Sequence, residues 1–189
     1  MPCPYNQPMP THLIRDAVID DAPALADCII DPILATFRGL VPNQCLSWLT
    51  KEESATNWRH WFGGKKRDGS VLRVAETPAG RLVGCALAGP QPKRDDFAGE
   101  LFLLGVLPGC QRQGIGRQLV ASVARRLNSM GITSLGVRVL SVNPNRRFYE
   151  LLDARFLCEE PYDWNGVLLA EAVYVWPGTA NLLDTINVL

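Results

Sequence analysis

The residues with the clearest chemical content form one run, Leu101-Phe-Leu-Leu-Gly-Val-Leu-Pro-Gly-Cys-Gln-Arg-Gln-Gly-Ile-Gly-Arg-Gln-Leu-Val120. An apolar stretch ends at Pro108. A loop with glycines at 109, 114 and 116 follows, and an amphipathic pattern starts there. A tight strand-to-helix turn of this kind aims unpaired backbone N–H groups, and the positive end of a helix, at one point. Glycine at 114 and 116 keeps side chains out of the path of an approaching anion. Arg112 and Arg117 add charge. The chemistry such a segment supports is the grip of a pyrophosphate; the competing reading is that the glycines only make a turn. Two familiar phosphate patterns do not fit. A dinucleotide fingerprint from Gly114 requires glycine where Leu119 stands, and a P-loop from Gly109 requires lysine where Ile115 stands.

Other chemistries are poorly supplied. The chain has two histidines, His12 and His60, with no HExxH and no Cys/His cluster, which argues against zinc. A GxSxG elbow is missing, so a serine hydrolase is not indicated. The six cysteines include no CxxC pair, and Cys28, Cys45, Cys85 and Cys158 sit among apolar neighbours. A 189-residue chain that is 47% hydrophobic needs no disulfide framework, and reduced thiols are expected. Lys+Arg and Asp+Glu are both 19, a formal net charge of zero. Such a chain has no long-range field to collect nucleic acid or anionic lipid. Lys65-Lys66-Arg67 is too short a basic run to change that. No apolar run approaches the roughly 18 residues of a membrane span, and the first residues lack the pattern of a secretory signal. These features predict one domain in the cytoplasm.

The elements that must position the loop are legible from periodicity. Residues 1–11 read as a lead-in. His12–Val18 reads as a strand, and Asp20-Asp21-Ala-Pro23 as a capped helix start running to about Ala35. Thr36–Pro42 is a turn-rich connection. Asn43–Trp61 is helical with a break near Thr50, which would cap Lys51–Phe62. Trp48, Trp58, Trp61 and Phe62 form an aromatic stripe, read as core packing or as the wall of a cleft. Val71–Glu76 and Arg81–Ala88 form a hairpin. Glu100–Leu107 is nearly continuous in apolar residues, the pattern of a central strand buried on both faces. Gly114–Asn128 is the clearest helix, with Gly131 as its stop. Ser134–Leu140 is a strand, Pro144–Leu152 a short helix, and Arg155–Glu159 and Val167–Trp176 close the pattern around a turn at Asp163–Gly166. The alternation predicts an α/β sheet with helices on both sides.

The segment Gln111-Arg-Gln-Gly114-Ile-Gly116 has the form (Arg/Gln)-x-x-Gly-x-(Gly/Ala) and resembles the acetyl-CoA motif of the GNAT N-acyltransferase superfamily. Further landmarks fall in order over residues 12–176. These are Ile14-Arg15-Asp16-Ala17 followed by Asp21-Ala-Pro23, then Val106-x-Pro108, Asn143-Pro-Asn-Arg-Arg-Phe148-Tyr149-Glu, and Tyr174-Val-Trp176. The resemblance implies a mixed, mostly antiparallel sheet of about six or seven strands, splayed between the fourth and fifth, with about four helices on its two faces. It also implies acetyl-CoA as donor, with Gln111, Arg112, Gln113, Gly114, Ile115, Gly116 and Arg117 around its pyrophosphate, and no metal. Outside the resemblance, residues 177–189 read as an appendix whose apolar Leu182, Leu183, Ile186 and Val188 would cover the sheet or a second copy of the chain in a homodimer.

The resemblance also implies roles for single residues. An alkyl ammonium has a pKa near 10, so acyl transfer needs a base, and Glu100 stands at the family's place for one. Leu104 and Val106 would offer backbone groups to the pantetheine arm where the strands part. The Val106 N–H would serve as oxyanion donor, and Gly105 would sit at an inexpensive kink. Tyr149 matches the family's acid for the leaving thiolate, whose pKa is near 8.5. Asn143 would bind the pantetheine, cap the following helix, or both. Phe37 and Arg38 lie in the loop expected to line the acceptor cleft, and Phe37 replaces a tyrosine common in the subgroup. Asp153 stands where relatives usually have glycine, so that helix is expected to end differently. Asp95, Asp96 and Asp163 could stand near a cationic amine. The expected function is direct acetyl transfer to a primary amine of a small molecule or peptide, without an acyl-enzyme. The competing reading is a non-catalytic acyl-CoA-binding or sensor domain.

Overall fold

The computed structural model describes residues 12–65, 68–94 and 96–188. The lead-in 1–11, the Lys66-Arg67 end of the basic run and Asp95 lie outside the described residues. The strands are β1 (Leu13–Asp16), β2 (Val71–Glu76), β3 (Leu82–Pro90), β4 (Gly99–Val106), β5 (Leu135–Leu140), β6 (Arg155–Trp164) and β7 (Val167–Trp176). The helices are α1 (Ala22–Phe37), α2 (Asn43–Leu46), α3 (Lys51–His60), α4 (Ile115–Ser129), α5 (Arg147–Leu151) and α6 (Thr179–Val188). One seven-stranded sheet runs β1-β2-β3-β4-β5-β7-β6. Its neighbours are antiparallel except β4 and β5, which are parallel.

Helix α1 packs on β3 and β4 from one face, with α3 against α1; α4 packs on β2, β3 and β4 from the other, with α6 behind it. The α4 stripe Ile115, Leu119, Val120, Val123, Ala124 and Leu127 is buried throughout, as its 3.6-residue spacing requires. A buried leucine such as Leu119 contributes about 2 kcal/mol of transfer free energy. Thr50 accepts the Glu53 N–H and caps α3 as expected. Asp21 does not cap α1. Its carboxylate instead accepts the Val18 N–H at 2.8 Å and two bonds from Arg15 at 2.7 and 2.9 Å, pinning β1 to the helix start.

Several expectations change in detail. Strand β6 continues five residues past Glu159 to Trp164, and the turn shrinks to Asn165-Gly166, both at positive φ (55° and 79°). Asn-Gly suits this tight geometry, which matches the twist of the flanking strands. Asp153 does adopt the left-handed conformation (φ 63°), so α5 ends as it would with glycine there. The appendix is a helix: α6 buries Leu182 and Ile186, and the Thr179 hydroxyl donates to Asn128 on α4 at 3.0 Å. The aromatic stripe separates. Trp58, Trp61 and Phe62 make edge-on contacts in the core layer, whereas Trp48 is exposed. Strand β4 is not buried throughout, because Phe102, Leu103, Leu104 and Val106 are half-exposed where the sheet opens.

Candidate active site

The opening is written in the strand register. β4 pairs with β5 only through Gly99–Leu135, Glu100–Gly136 and Leu101–Val137, and beyond Leu101 the two strands part. On its other side β4 stays paired with β3 as far as Val106 opposite Gly84. The Leu107 N–H donates to the Val83 carbonyl at 2.9 Å. Antiparallel pairs alternate between bonded and unbonded rungs, so Gly105 bonds to Cys85 while Leu104 and Val106 turn their N–H and C=O groups away from β3, into the gap. The Val106 carbonyl confirms that direction, since it accepts the Gln111 side-chain amide at 3.1 Å.

The β3–β4 register shifts by one residue between Leu87 and Ala88, leaving Phe102 as the extra residue of β4. The bulge is therefore at Phe102, and the kink expected at Gly105 is not found there. Gly105 is small for another reason: a Cβ would sit 2.1 Å from the Cys28 carbonyl of α1. The bulge changes which face each side chain takes. Val106 points to the α4 face, near Gly116. Without the extra residue Glu100 would share that face; with it, Glu100 lies on the α1 face.

Past Val106 the chain turns into α4. Arg112 and Gly114 both take positive φ (62° and 78°). A side chain at Gly114 would be strained, and its Cβ would meet only the Arg117 guanidinium at 3.8 Å. The first backbone bond of α4 runs from the Gln118 N–H to the Gly114 carbonyl at 3.0 Å. Among the described residues the amides of 111 to 114 make no hydrogen bond, and those of Ile115 to Arg117 belong to the first turn, which has no intrahelical acceptor. The Ile115 side chain is buried against β3, leaving only its amide for a ligand. Arg112 is exposed and Gln113 half-exposed. This is a cradle of open amides at a helix N-terminus, able to hold the pyrophosphate of a nucleotide donor.

Glu100 is 3% exposed with both oxygens engaged. Oε1 accepts from Arg138 of β5 at 2.8 Å, and Oε2 accepts from the Gln91 amide. It is a buried strand residue and not an exposed strand end. The same face carries a chain of charges. Arg94 bonds Asp96 and Glu160, each at 2.6 Å, and lies over the Phe97 ring. No local sequence pattern places Gln91, Arg138 and Glu171 beside Glu100 on this face. Arg138 did carry a signal, as the one charged side chain in the apolar strand Leu-Gly-Val-Arg-Val-Leu.

Tyr149 lies on the opposite face. It packs beside Tyr174 and Trp176 of β7, with ring centroids at 6.3 and 6.2 Å. Tyr174 is paired with Val137, which alternates with the Gly136 and Arg138 face. Burial pushes the Tyr149 phenol up to about 12. Among the described residues its OH makes no hydrogen bond. Asn143 caps the turn into α5, its Oδ1 accepting the Asn145 N–H at 2.8 Å, and among the described residues its amide N–H groups are unengaged.

Phe37 is buried against Trp164, edge-on at 5.7 Å, in a second small core with Val41, Cys45, Leu46 and Leu140. It is the last residue of α1 and anchors the 38–42 loop that follows, with Arg38 exposed next to it. Asp96 is committed to Arg94, and Asp163 to the Gly166 N–H at the hairpin tip, 2.7 Å away. Among the described residues no group of three or more His, Cys, Asp and Glu side chains could hold a metal ion, and no helix is long and apolar enough to cross a membrane. The five described cysteines are free thiols.

Residues 35–153 match the model of the acetyltransferase (GNAT) family. An uncharacterized N-acetyltransferase of Bacillus subtilis, YuaI, is 29% identical over 175 residues, 92% of this chain and 98% of its own. A ribosomal-protein-alanine N-acetyltransferase from Brucella melitensis superposes with a TM-score of 0.68 at 24% identity, covering 87% of this chain and 98% of its own. A PaiA N-acetyltransferase from Thermoplasma acidophilum, solved in complex with coenzyme A, superposes with a TM-score of 0.68 at 16% identity over 87% and 98%. The parted β4 and β5, the amide cradle beyond them and the matched family model lead to one conclusion: the chain belongs to the GNAT acetyltransferase family and is an acyltransferase.

Proposed function

We propose that this protein moves an acetyl group from acetyl-CoA directly to a primary amine in the gap between β4 and β5. The observation that carries this reading is the pairing of two hydrogen-bonding edges open among the described residues: Leu104 and the Val106 N–H on the gap side of β4, and the amides of residues 111 to 117. They are contiguous in the chain and face a nucleotide thioester laid along them. The donor supplies an activated acetyl group. The chain's own residues do the rest.

The amides of the cradle, helped by Arg112 and Arg117, bind the pyrophosphate. The unengaged amide of Asn143 and the backbone of Leu104 hold the pantetheine arm. The Val106 N–H stands ready for charge developing on the carbonyl oxygen. Tyr149, kept protonated by burial, donates its proton to the departing thiolate. The ammonium of the acceptor must lose a proton before it can attack. That proton leaves on the face opposite Tyr149, where Glu100, Glu160 and Glu171 lie and where the Phe37–Arg38 loop borders the cleft. Entry of the amine from one face and exit of the thiolate towards the other keeps base and acid apart. We place this chemistry in the cytoplasm, where acetyl-CoA and reduced thiols coexist.

The test is release of coenzyme A thiol from acetyl-CoA in the presence of ethanolamine, a diamine, lysine or a peptide with a free N-terminal alanine, the last suggested by the Brucella neighbour. Turnover with one or more supports the reading. Tight acetyl-CoA binding with no turnover of any of them would reduce the protein to an acyl-CoA-binding module.

A further inference from the structure

Among the described residues four carboxylates stand on or beside the α1 face of the sheet, and three are committed. Glu100 is held by Arg138 and Gln91; Glu160 and Asp96 are held by Arg94. The fourth is Glu171 on β7. It pairs across to Leu140 of β5 and to Glu160 of β6, so it shares their face and that of Arg138, two residues before Leu140. It is half-buried, and among the described residues its carboxylate makes no hydrogen bond or ion pair. The charged and titratable groups facing it are Arg138 from β5, Glu100 from β4, and Glu160 and Tyr162 from β6.

We propose that Glu171 is the general base that takes the proton of the acceptor ammonium, and that Glu100 is a positioning residue that holds Arg138 just past the last paired rung, Leu101–Val137. This inference rests on the acetyl-transfer reading. A base needs a free lone pair. Glu100 would have to release Arg138 or Gln91 to offer one, at the cost of leaving a buried partner unsatisfied. Glu171 has nothing to release. Partial burial raises its pKa, Glu100 and Glu160 push the same way, and Arg138 opposes them. A carboxylate displaced upward is a stronger proton acceptor, and its negative charge also attracts the cationic acceptor.

The step balances. The ammonium gives one proton to Glu171, and the neutral amine attacks the carbonyl carbon. The C–N bond forms and the C–S bond breaks. The nitrogen loses a second proton to solvent, and the thiolate takes the Tyr149 proton, which solvent restores. Glu171 then returns its proton to solvent, so one proton is released per acetyl group.

The test is the pH dependence of kcat/KM with the panel amine that turns over fastest. The wild type is expected to rise through an acid-side inflection. Glu171→Gln is expected to lose that inflection and about 100-fold in rate at pH 7, with the deficit closing towards pH 10 as the amine deprotonates unaided. Its KM for acetyl-CoA and the thermal shift on acetyl-CoA binding stay as in the wild type. Glu171→Asp keeps part of the rate. Glu100→Gln is slower and less stable but keeps the inflection. A Glu171→Gln variant with the wild-type inflection, or with one factor lost at every pH, overturns the proposal while acetyl transfer stands. A wild type inert to the whole panel overturns both. Carboxyl 13C titration of the wild type bypasses the folding of any variant: the Glu171 resonance should move when the amine is added, and an unmoved resonance contradicts the assignment.

Discussion

Burial raises the Tyr149 phenol pKa, and its OH has no partner among the described residues, which suits the proposed proton donor. Tyr149→Phe should lower kcat about 100-fold with little change in the KM for acetyl-CoA, measured by thiol release. A loss confined to KM would make Tyr149 a packing residue. Gly105→Ala tests the close approach of α1. A Cβ placed 2.1 Å from the Cys28 carbonyl forces helix and strand apart, and a loss of about 1–3 kcal/mol in chemical denaturation is expected. Tyr149 is singled out in the sequence only through the Asn143 to Tyr149 segment that carries the resemblance. The engagement of Glu100 is not readable there, since its partners are Gln91, just past β3, and Arg138 of β5, and no local pattern joins them. Gly105 was noticed for a kink, yet its neighbour is a helix carbonyl far away in sequence.

Among the elements, β4 does the most to shape the site. Its apolar run predicted a strand buried on both faces, and the structure half-exposes its second half because β5 has turned away. Hydrophobicity reports that a strand is central and says nothing about where its partner leaves it. The bulge at Phe102 is equally silent in sequence, although it decides which face receives Glu100. The short α5 gives the reverse case. Asp153 takes φ 63° despite its side chain, so Asp153→Gly should relieve strain and raise the stability by about 1 kcal/mol, measured by urea unfolding. A destabilised glycine variant would mean that the Asp153 side chain stabilises the turn in some further way. Strand β6 outran its expected end because Glu160, Pro161 and Tyr162 look like loop residues one by one, while pairing with β7 holds them extended.

For the whole molecule, the neutral composition and the order of strands and helices were enough to predict one α/β domain, because alternating periodicities leave few layered arrangements. The place of the last helix was not readable, since an apolar tail can cover its own domain or a second copy. Buried titratable groups set the alkaline limit of the fold. Burial pushes Cys28 from 9.0, and Tyr149 from 10.0, each up to about 12. A folded pKa above the unfolded one gives stability that is complete below the unfolded value and lost as pH rises to the folded one. The midpoint of thermal unfolding should therefore hold through neutral pH and fall between about pH 9 and 12, and Tyr149→Phe should flatten the upper part of that fall. Asp21 works at the other end. The Arg15 guanidinium holds its carboxyl below the usual range, so its contribution is full above the ordinary carboxylate pKa and disappears as the solution is acidified through the folded value.

The central claim is that open backbone amides at the start of α4 hold the donor's pyrophosphate. Titrating 15N-labelled protein with coenzyme A tests it most directly. The account predicts saturable shifts concentrated in the amides of residues 111 to 117, with the Val106 amide moving as well. Saturation with those resonances unmoved, and shifts gathered elsewhere on the surface, would contradict it.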